Sequence, residues 1–398
     1  MAKPLSGLRV LDLTRVLAGP YATMVLGDLG AEVTKVEIPG RGDDSRDYGP
    51  FLAGESAYFM SINRNKKSIA LNLKTQGGRE ILMRLAEKSD VLVENFRPGT
   101  MDKLGLGYDT LSARNPGLIY ATCSGFGSTG PFAQKPAYDI IVQGMGGIMS
   151  ITGHPGGPPT RVGVSIGDIT AGLFTVIAIL AAVHERRASG LGQFIDVSML
   201  DCQLAILENA IARYTITGEV PGRLGNRHPT ITPFTAFDTE DGSVIVGAGN
   251  DALFRKLCGA IERPELASDP RFETNASRTA VWDTALRPVL EAVFRTRTTA
   301  FWLDRLETLG IPCGPINTID KVLANPQVAS REMLVELDHP VAGKHIVAGP
   351  PFKMSRTPAS ADAAAPVLGA HTAQVLRDVL GFDTQDIEKY EKEGCFEP

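Results

Sequence analysis

The sequence predicts an α/β protein with a parallel sheet in its first half and a smaller α+β region after it. The first observation is a strand pattern over Leu8–Leu13, a helical pattern over Tyr21–Leu29 and a second strand pattern over Ala31–Glu37. Strand, helix and strand within about 30 residues indicate a βαβ unit, whose strands are parallel. The second observation is an Asp-Gly turn within Thr239–Gly242 between two short strand patterns, which predicts an antiparallel hairpin.

The βαβ alternation continues through the first half of the chain. The further segments in this series are strands at Lys66–Leu73, Val91–Asn95, Leu118–Thr122 and Gln193–Ser198, and helices at Thr75–Lys88, Ile169–Val183 and Met199–Thr217. This pattern favours a doubly wound domain. The first strand-to-helix turn lacks the Gly-x-Gly-x-x-Gly fingerprint, so a nicotinamide cofactor is disfavoured.

The second half begins with a change of composition. Residues 218–233 are rich in Gly, Pro and charge, which indicates a domain boundary. The segments expected beyond it are strands at Phe234–Asp238 and Ser243–Gly247 and helices at Asp251–Ile261, Arg278–Arg295 and Thr299–Leu309. From about Val328 we expect few strands, one helix at Thr372–Leu380 and a charged tail. The domain prediction is therefore 1–222, 223–328 and 329–398.

Composition narrows the classes of partner and compartment. The formal net charge is -5, which disfavours nucleic acid as a partner. The five cysteines are scattered, with no Cys-x-x-Cys pair and no histidine at zinc spacing, so we expect no metal site and a reducing, cytoplasmic location. No signal peptide is visible, and the apolar run Ile169–Val183 is shorter than the roughly 20 residues of a membrane span, so no membrane partner is expected.

One carboxylate, Asp168, lies between Gly167 and the apolar helix predicted to follow it. A short acidic side chain at a helix start is typical of an N-cap, which accepts hydrogen bonds from free amides of the first turn. A carboxylate flanked by glycines also suits a nucleophile, because a bulky substrate can approach the backbone closely. No Gly-x-Ser-x-Gly, His-Glu-x-x-His or Walker motif competes with it. Local sequence leaves both interpretations open.

Ordered motifs along nearly the whole chain resemble the family III CoA-transferases. The matching segments are Pro4–Pro20, Leu26–Val33, Lys35–Glu37, Asn63–Ser68, Val93–Gly99, Gly125–Gly127, Gly130–Pro131, Gly167–Asp168, Gly310–Pro315 and Leu368–Thr372. The resemblance implies that Asp168 attacks an acyl-CoA thioester and that an aspartyl-CoA thioester forms in the cycle. It implies acyl-CoA as a substrate and no tightly bound cofactor.

The same resemblance assigns positions to CoA binding and suggests a substrate class. The CoA positions that carry over are Val16, Leu71, Lys74, Asn95, Phe96, Arg97, Lys103 and the Pro136–Asp139 segment with Tyr138. The motifs look most like the branch that transfers CoA from succinyl-CoA to dicarboxylates of the glutarate type. The candidates for pairing with the distal carboxylate are Arg15, Arg46, Arg64 and Arg227. Leu17 replaces the glutamine of the formyl-CoA:oxalate enzymes, which argues against oxalate as acceptor.

Two alternatives remain at this point. The α-methylacyl-CoA racemases share the fold and use a histidine and an aspartate, but Tyr138 occupies the position of their histidine. A non-catalytic CoA-binding protein would use Asp168 only as a helix cap.

The resemblance further implies a homodimer of interlocked chains, with a Rossmann-like large domain built from both chain ends.

Overall fold

The computed structural model describes residues 3–397, which form two compact units. The first unit contains residues up to 149, 161–218 and 326 onward, and the second contains 150–160 and 219–325. Both ends of the described chain therefore belong to the first unit. The short segment 150–160, which composition does not distinguish, belongs to the second unit with 219–325.

Thirteen strands are present in the described chain. In chain order they are β1 (Arg9–Asp12), β2 (Glu32–Glu37), β3 (Phe51–Leu52), β4 (Glu55–Ser56), β5 (Lys66–Ala70), β6 (Val91–Glu94), β7 (Ile119–Ser124), β8 (Phe194–Ser198), β9 (Phe234–Asp238), β10 (Ser243–Gly247), β11 (Cys313–Pro315), β12 (Leu334–His339) and β13 (Gly343–Ala348).

The first unit is built on a six-stranded sheet in the order β5-β2-β1-β6-β7-β8. All five strand pairs are parallel, which confirms the predicted parallel sheet. Counted along the chain, the sheet strands follow the doubly wound order 3-2-1-4-5-6. The strand order reverses between β1 and β6, and the carboxyl ends of these two strands are the expected ligand site in such a sheet.

Helices cover both faces of the sheet and form most of the second unit. They are α1 (Ala18–Asp28), α2 (Ala57–Ile62), α3 (Gln76–Glu87), α4 (Thr100–Lys103), α5 (Tyr108–Arg114), α6 (Asp139–Met145), α7 (Ile148–Ile151), α8 (Ile166–Ser189), α9 (Met199–Ile206), α10 (Glu208–Thr217), α11 (Asp251–Ala260), α12 (Asn275–Ala280), α13 (Arg287–Phe294), α14 (Thr299–Thr308), α15 (Ile319–Leu323), α16 (Pro326–Ser330), α17 (Thr372–Leu380) and α18 (Thr384–Lys392).

Helix α8 is longer than its apolar run predicts. It has 24 residues, and by length and apolar composition it is the one helix among residues 3–397 that could cross a membrane. Half of its apolar window is buried, and the helix packs on α1, β7, β8 and α9, as core helices do. The contact with α1 is close, because a Cβ at Gly172 would lie 2.7 Å from the carbonyl oxygen of Ala18. Gly172 is therefore required by the packing of these two helices.

Three predictions about the first unit were wrong. The region after Val328 is not poor in strands, because β12 and β13 pair as an antiparallel hairpin. The predicted helix Met199–Thr217 is two helices that meet at Leu207. The charged tail contains α18, whose start is stabilised by a capping box between Asp383 and Asp386.

The second unit has its own core and a three-stranded sheet in the order β11-β10-β9. Strands β9 and β10 are antiparallel around the Asp-Gly turn, which confirms the predicted hairpin. Aromatic side chains fill the core of this unit, including a stacked pair of Phe237 and Phe294 with ring centroids 4.5 Å apart. The predicted helix Arg278–Arg295 is α12 and α13, separated by a π-helical turn at Trp282–Leu286.

Candidate active site

A cavity of about 280 Å³ lies at the carboxyl ends of the central strands of the parallel sheet. The loop after β1 contributes Arg15, Val16 and Leu17 to its lining, and the loop after β6 contributes Asn95, Phe96 and Arg97. Asp168 also lines this cavity, which we call the Asp168 cavity. The side chains meet at the strand-order reversal, where doubly wound sheets bind their ligands.

Asp168 lies in the first turn of α8 but is not its N-cap. The helix begins at Ile166, and Ser165 occupies the cap position without a side-chain capping bond. No hydrogen bond within residues 3–397 uses the Asp168 carboxylate, which is partly buried. The N-cap interpretation of Asp168 is therefore wrong, and its carboxylate is free to contact a ligand.

A second carboxylate, Asp139 at the start of α6, caps α8 from outside the helix. Its Oδ1 accepts a hydrogen bond of 2.8 Å from the Gly167 amide, and its Oδ2 accepts one of 2.7 Å from Gln143 Nε2. Arg161 Nη2 lies 3.4 Å from the same Oδ2. The close contact between α6 and the start of α8 requires glycine at position 167, because a Cβ there would lie 2.8 Å from Val142 and 3.0 Å from Asp139 Oδ1.

Burial, together with the smaller effect of the nearby negative charge of Asp139, raises the pKa of Asp168 to about 7. A carboxylate that has lost its hydration and accepts no hydrogen bond is more basic and more nucleophilic than an exposed one. Asp168 thus combines a perturbed pKa with a place in a cleft, which is the usual signature of a functional carboxylate.

Other groups with shifted pKa values surround Asp168. Burial, together with the smaller effect of the charge of Asp168, raises the pKa of Tyr58 to about 12. Burial also raises the pKa of the Cys123 thiol, which lines the cavity, to about 12. Both groups are protonated at neutral pH, and a protonated thiol is a poor nucleophile. Within the described chain, no three His, Cys, Asp or Glu side chains are arranged to hold a metal ion.

The turn between β1 and α1 has an unusual backbone. Val16 has φ 68°, in the left-handed region that a β-branched residue rarely adopts. Such a conformation costs on the order of 1–3 kcal/mol and persists only where the surroundings impose it. The amides of Leu17, Ala18 and Gly19 follow this turn, and none of them donates a hydrogen bond within residues 3–397. The first turn of α1 therefore presents unoccupied donors beside the Asp168 cavity.

A second and larger cavity of about 500 Å³, here called the apolar cavity, lies beside the first. Its surface is mostly apolar, and the aliphatic side chains that line it are Leu13, Val36, Ile38, Leu71, Leu73 and Leu104. Two acidic side chains, Glu37 and Asp43, also line it. The cationic side chains at this cavity are Arg15, Arg41 and Lys74. Arg15 and Phe96 line both cavities, and the Arg15 guanidinium lies 5.2 Å from the centre of the Phe96 ring. The two cavities therefore share a wall.

Most of the positions assigned to CoA lie at these two cavities. Val16, Asn95, Phe96, Arg97, Pro136 and Tyr138 line the Asp168 cavity, and Leu71, Lys74 and Phe96 line the apolar cavity. Lys103 is exposed and lines neither of them. The binding roles of these residues stay predictions.

The four candidate arginines have different surroundings. Arg15 lines both cavities, and its contact with Asp44 is 3.3 Å long. Arg46 makes two hydrogen bonds of 2.8 Å to Glu37, and Arg64 is buried against Asp28 with bonds of 3.0 and 2.7 Å. Arg227 belongs to the second unit, where it lies 3.3 Å from Asp283. The structure thus places only Arg15 of the four at the Asp168 cavity.

Several residues of the site were not identified from sequence. Tyr58 and Cys123 lie around Asp168 but come from other elements of the first unit. Asp139 belongs to the segment assigned to CoA, but its contact with the start of α8 was not predicted. Lys135 adds a cation to the lining of the Asp168 cavity. The Ser124 hydroxyl at the end of β7 is buried and has no hydrogen-bond partner in the described part of the chain. Only Ser124 carries a sequence signal, because it ends a strand whose neighbours also end at the site.

Comparison with known proteins agrees with this arrangement. The family model described as CoA-transferase family III matches residues 5–372. The acetyl-CoA:oxalate CoA-transferase of Acetobacter aceti is 48% identical over 88% of this chain and 89% of its own length. The succinyl-CoA:glutarate CoA-transferase of Mus musculus is 44% identical over 99% of this chain and 91% of its own length.

A solved structure shows the same fold over almost the whole chain. The CAIB/BAIF family protein from Brucella suis superposes with a TM-score of 0.85 at 41% identity, covering 95% of this chain and all of that one. The family model, the identity over nearly full length and the fold agree, and they confirm the predicted family. The chain belongs to family III of the CoA-transferases and is a CoA-transferase.

Proposed function

We propose that this enzyme moves CoA from an acyl-CoA donor, with succinyl-CoA as the leading candidate, to a small dicarboxylic acid. Asp168 is the nucleophile, and the observation that carries the proposal is its carboxylate, which lines the cavity without a hydrogen-bond partner in residues 3–397. The raised pKa of Asp168 supports the same role, because the ionised form is a strong nucleophile above pH 7.

The proposed reaction proceeds through two exchanges. Asp168 attacks the donor thioester carbonyl, a C–O bond forms, the C–S bond breaks, and CoA leaves as a thiolate. The thiolate attacks the Asp168 carbonyl, which forms an aspartyl-CoA thioester and releases the donor acid as a carboxylate. The acceptor carboxylate repeats these steps in reverse and regenerates Asp168. Charge balances throughout, and no proton is consumed.

Each acyl transfer passes through an oxyanion, which needs donors that are already in place. The free amides of Leu17 and Ala18 at the start of α1 border the Asp168 cavity and suit this role. The Gly167 amide of α8 is not available, because Asp139 occupies it. We therefore propose that α1 provides the oxyanion donors for the carboxylate presented by α8.

The apolar cavity fits the nucleotide end of CoA. Its aliphatic lining suits an adenine ring, and Arg41 and Lys74 suit the phosphates. We propose that the acyl-pantetheine portion crosses the wall formed by Arg15 and Phe96 to reach Asp168. We propose Arg15 for the distal carboxylate of the substrate, because it is the candidate arginine at this cavity without a bidentate partner.

The acceptor is the open part of the proposal. The Mus musculus relative is named for glutarate and the Acetobacter aceti relative for oxalate, so Leu17 does not remove oxalate from the test. We propose glutarate-type acids first, as the sequence motifs indicate.

We also propose a cytoplasmic homodimer. Exposed apolar side chains on α8 and α10, such as Ile177 and Ile216 at 60% and 84% exposure, support a dimer contact, and light scattering after size exclusion tests it.

A panel assay tests the proposed function. Succinyl-, acetyl- and formyl-CoA are each incubated with glutarate, oxalate and monocarboxylates, and products are separated by chromatography. We expect the highest kcat/KM with succinyl-CoA and a dicarboxylate. Borohydride trapping after incubation with succinyl-CoA alone should modify Asp168. Transfer at the wild-type rate by Asp168→Asn would contradict the role of Asp168.

The racemase alternative is disfavoured by Tyr138, which is 71% exposed and stands where the racemases have their histidine. None of the side chains that line the Asp168 cavity is a histidine. Deuterium incorporation at the α-carbon of a 2-methylacyl-CoA without any acceptor acid would instead support the racemase. A non-catalytic CoA-binding protein predicts no transfer in the same panel, by the wild type or by Asp168→Asn.

A further inference from the structure

The strained turn at Val16 is held by side chains that do not approach Asp168. Asp43 Oδ1 accepts a hydrogen bond of 3.0 Å from the Val16 amide itself. Lys35 Nζ donates a bond of 2.7 Å to the Thr14 carbonyl oxygen, two residues earlier. The turn thus contacts the buried interior at two points, on both sides of Arg15.

Asn95 fixes the residue between these points. Its Oδ1 accepts from the Arg15 amide and its Nδ2 donates to the Arg15 carbonyl oxygen, each at 2.8 Å. The backbone of Arg15 is therefore fully bonded on both sides, while its side chain projects to the two cavities. With Arg15 fixed, the left-handed φ of Val16 determines where α1 begins.

Asp43 is itself fixed by Lys35. Their side chains are completely buried and lie 2.8 Å apart, from Nζ to Oδ2. Ser45 donates two further bonds to Asp43 Oδ1, from its amide at 2.9 Å and its hydroxyl at 2.8 Å. The negative charges of Asp43, Asp12 and Glu37 keep Lys35 protonated by raising its pKa against the effect of burial. An ion pair buried this completely contributes little net stability compared with apolar packing, so another role deserves a test.

We propose that the Lys35–Asp43 pair is a positioning device, which holds Val16 in the left-handed conformation and so directs Arg15 and the first amides of α1 to the Asp168 cavity. The inference rests on the proposed function only for the consequence on transfer. Both residues act on the turn through its backbone, and neither lines the Asp168 cavity, whereas Asp43 does line the apolar cavity.

A mutant cycle with glycine at position 16 tests the device. Lys35→Met/Asp43→Ala removes both charges together, so neither is left buried and unpaired. We expect kcat/KM for CoA transfer to fall about 30-fold because Val16 leaves the left-handed region without its acceptor. When Val16→Gly is already present, the same pair of substitutions should lower kcat/KM about 10-fold less, since glycine adopts this φ without help. This difference corresponds to a coupling of about 1.4 kcal/mol.

The Asp28–Arg64 pair provides a matched control. It is also buried, with a shortest contact of 2.7 Å, but it does not bond to the turn. Arg64→Met/Asp28→Ala combined with Val16→Gly should show independent, multiplicative effects on kcat/KM. Melting temperatures are measured in parallel, and Val16→Gly should not alter the shift in melting temperature that Lys35→Met/Asp43→Ala produces. If that variant does not fold, Lys35→Met/Asp43→Leu keeps the branched shape of Asp43 without an acceptor for the Val16 amide and enters the same cycle.

The outcomes separate this inference from the proposed function. Absence of coupling between Val16→Gly and the pair, or equal coupling in the control cycle, would overturn the positioning role. The same cycle is read by calorimetric titration with CoA, which requires no turnover. Suppose that the wild type transfers no CoA in the panel but that the mutant cycle shows the coupling in CoA affinity. This result would refute the proposed reaction and support the positioning device.

Discussion

Two helices begin at the Asp168 cavity, and their first turns are built in opposite ways. Helix α8 carries a carboxylate in its first turn, and its Gly167 amide is already bonded to Asp139. Helix α1 has no charged side chain in its first turn, no side-chain cap and three free amides after a strained turn. The difference teaches how one cavity suits both the proposed nucleophile and the proposed donors for the oxyanion formed in its attack. If the Gly167 amide were free, it would stabilise the carboxylate and weaken it as a nucleophile.

The largest effect is expected from removing the charge at the start of α8. Asp168→Asn should lower kcat for CoA transfer by about 10³-fold or more, because asparagine cannot form the anhydride. Transfer is measured by chromatography with succinyl-CoA, and the covalent adduct by intact mass after borohydride. A variant that still accumulates an adduct at position 168 would contradict the assignment.

Asp168→Asn also tests how much the ionised carboxylate of Asp168 destabilises the folded protein. The pKa of Asp168 is raised from 3.8 to about 7 in the folded protein, so its ionised form destabilises the fold increasingly as pH rises from about 4 to about 7. Asp168→Asn has no ionisable group at this position, so its fold is not destabilised in this way. Its melting temperature should exceed that of the wild type above pH 7, and the difference should shrink at pH 5. An unchanged difference across this range would show that the carboxylate is not desolvated.

The next largest effect concerns the cation beside the start of α1. Arg15→Gln should raise KM for a dicarboxylate acceptor by about 10–100-fold, the loss expected for a charge-assisted hydrogen bond. KM for a monocarboxylate of similar length should change much less. Lys135→Gln is the matched control, because Lys135 is another cation that lines the cavity. Equal losses for both kinds of acceptor would place Arg15 at the CoA phosphates instead.

A smaller effect should follow from neutralising the external cap of α8. In Asp139→Asn the amide oxygen can still accept from Gly167, so the helix start is retained while the negative charge is lost. The pKa of Asp168 should then fall, although burial keeps it above its ordinary value. The acidic limb of the kcat/KM profile should move to lower pH, with a gain of several-fold at pH 6 relative to pH 8.

Asp196→Asn is the control for this pH profile. Asp196 bonds to Ser128 at 2.8 Å and does not line the Asp168 cavity. Its neutralisation should leave the acidic limb in place. A limb that stays fixed in Asp139→Asn as well would mean that burial alone sets the pKa of Asp168.

The contrast between the two helix starts also shows what sequence can predict. The sheet strands were predictable because each is a short apolar segment alternating with an amphipathic helix, and the carboxyl ends of such strands meet at one edge. Residues 95–97 and Arg15 follow β6 and β1 directly, so their approach to one site follows from the strand order. The family motifs predict the nucleophilic role proposed for Asp168, which local sequence left open between a cap and a nucleophile.

The remaining features depend on contacts between distant segments. Asp139 caps α8 across 28 residues, which requires α6 to dock on that helix. Val16 is left-handed because Asp43, 27 residues away, accepts from its amide, and no local motif predicts that for valine. The β12–β13 hairpin was missed because its turn lacks an Asn-Gly or Asp-Gly signal and lies in a region rich in Pro and Ala.

The smallest effect is expected at Tyr138, which precedes the cap residue and belongs to neither helix start. The side chain is 71% exposed at the mouth of the Asp168 cavity, so its hydroxyl is well hydrated before a substrate binds. Tyr138→Phe should lower kcat/KM for transfer by no more than about threefold, as expected for an exposed hydrogen bond.

Tyr138→His introduces the side chain that the racemases use, and it should show no α-proton exchange in deuterated water. The reason is that Asp168, already assigned to nucleophilic attack, would also have to act as a base with a pKa matched to a histidine partner. Exchange detected by mass spectrometry in Tyr138→His would mean that one residue separates the two reactions on this scaffold.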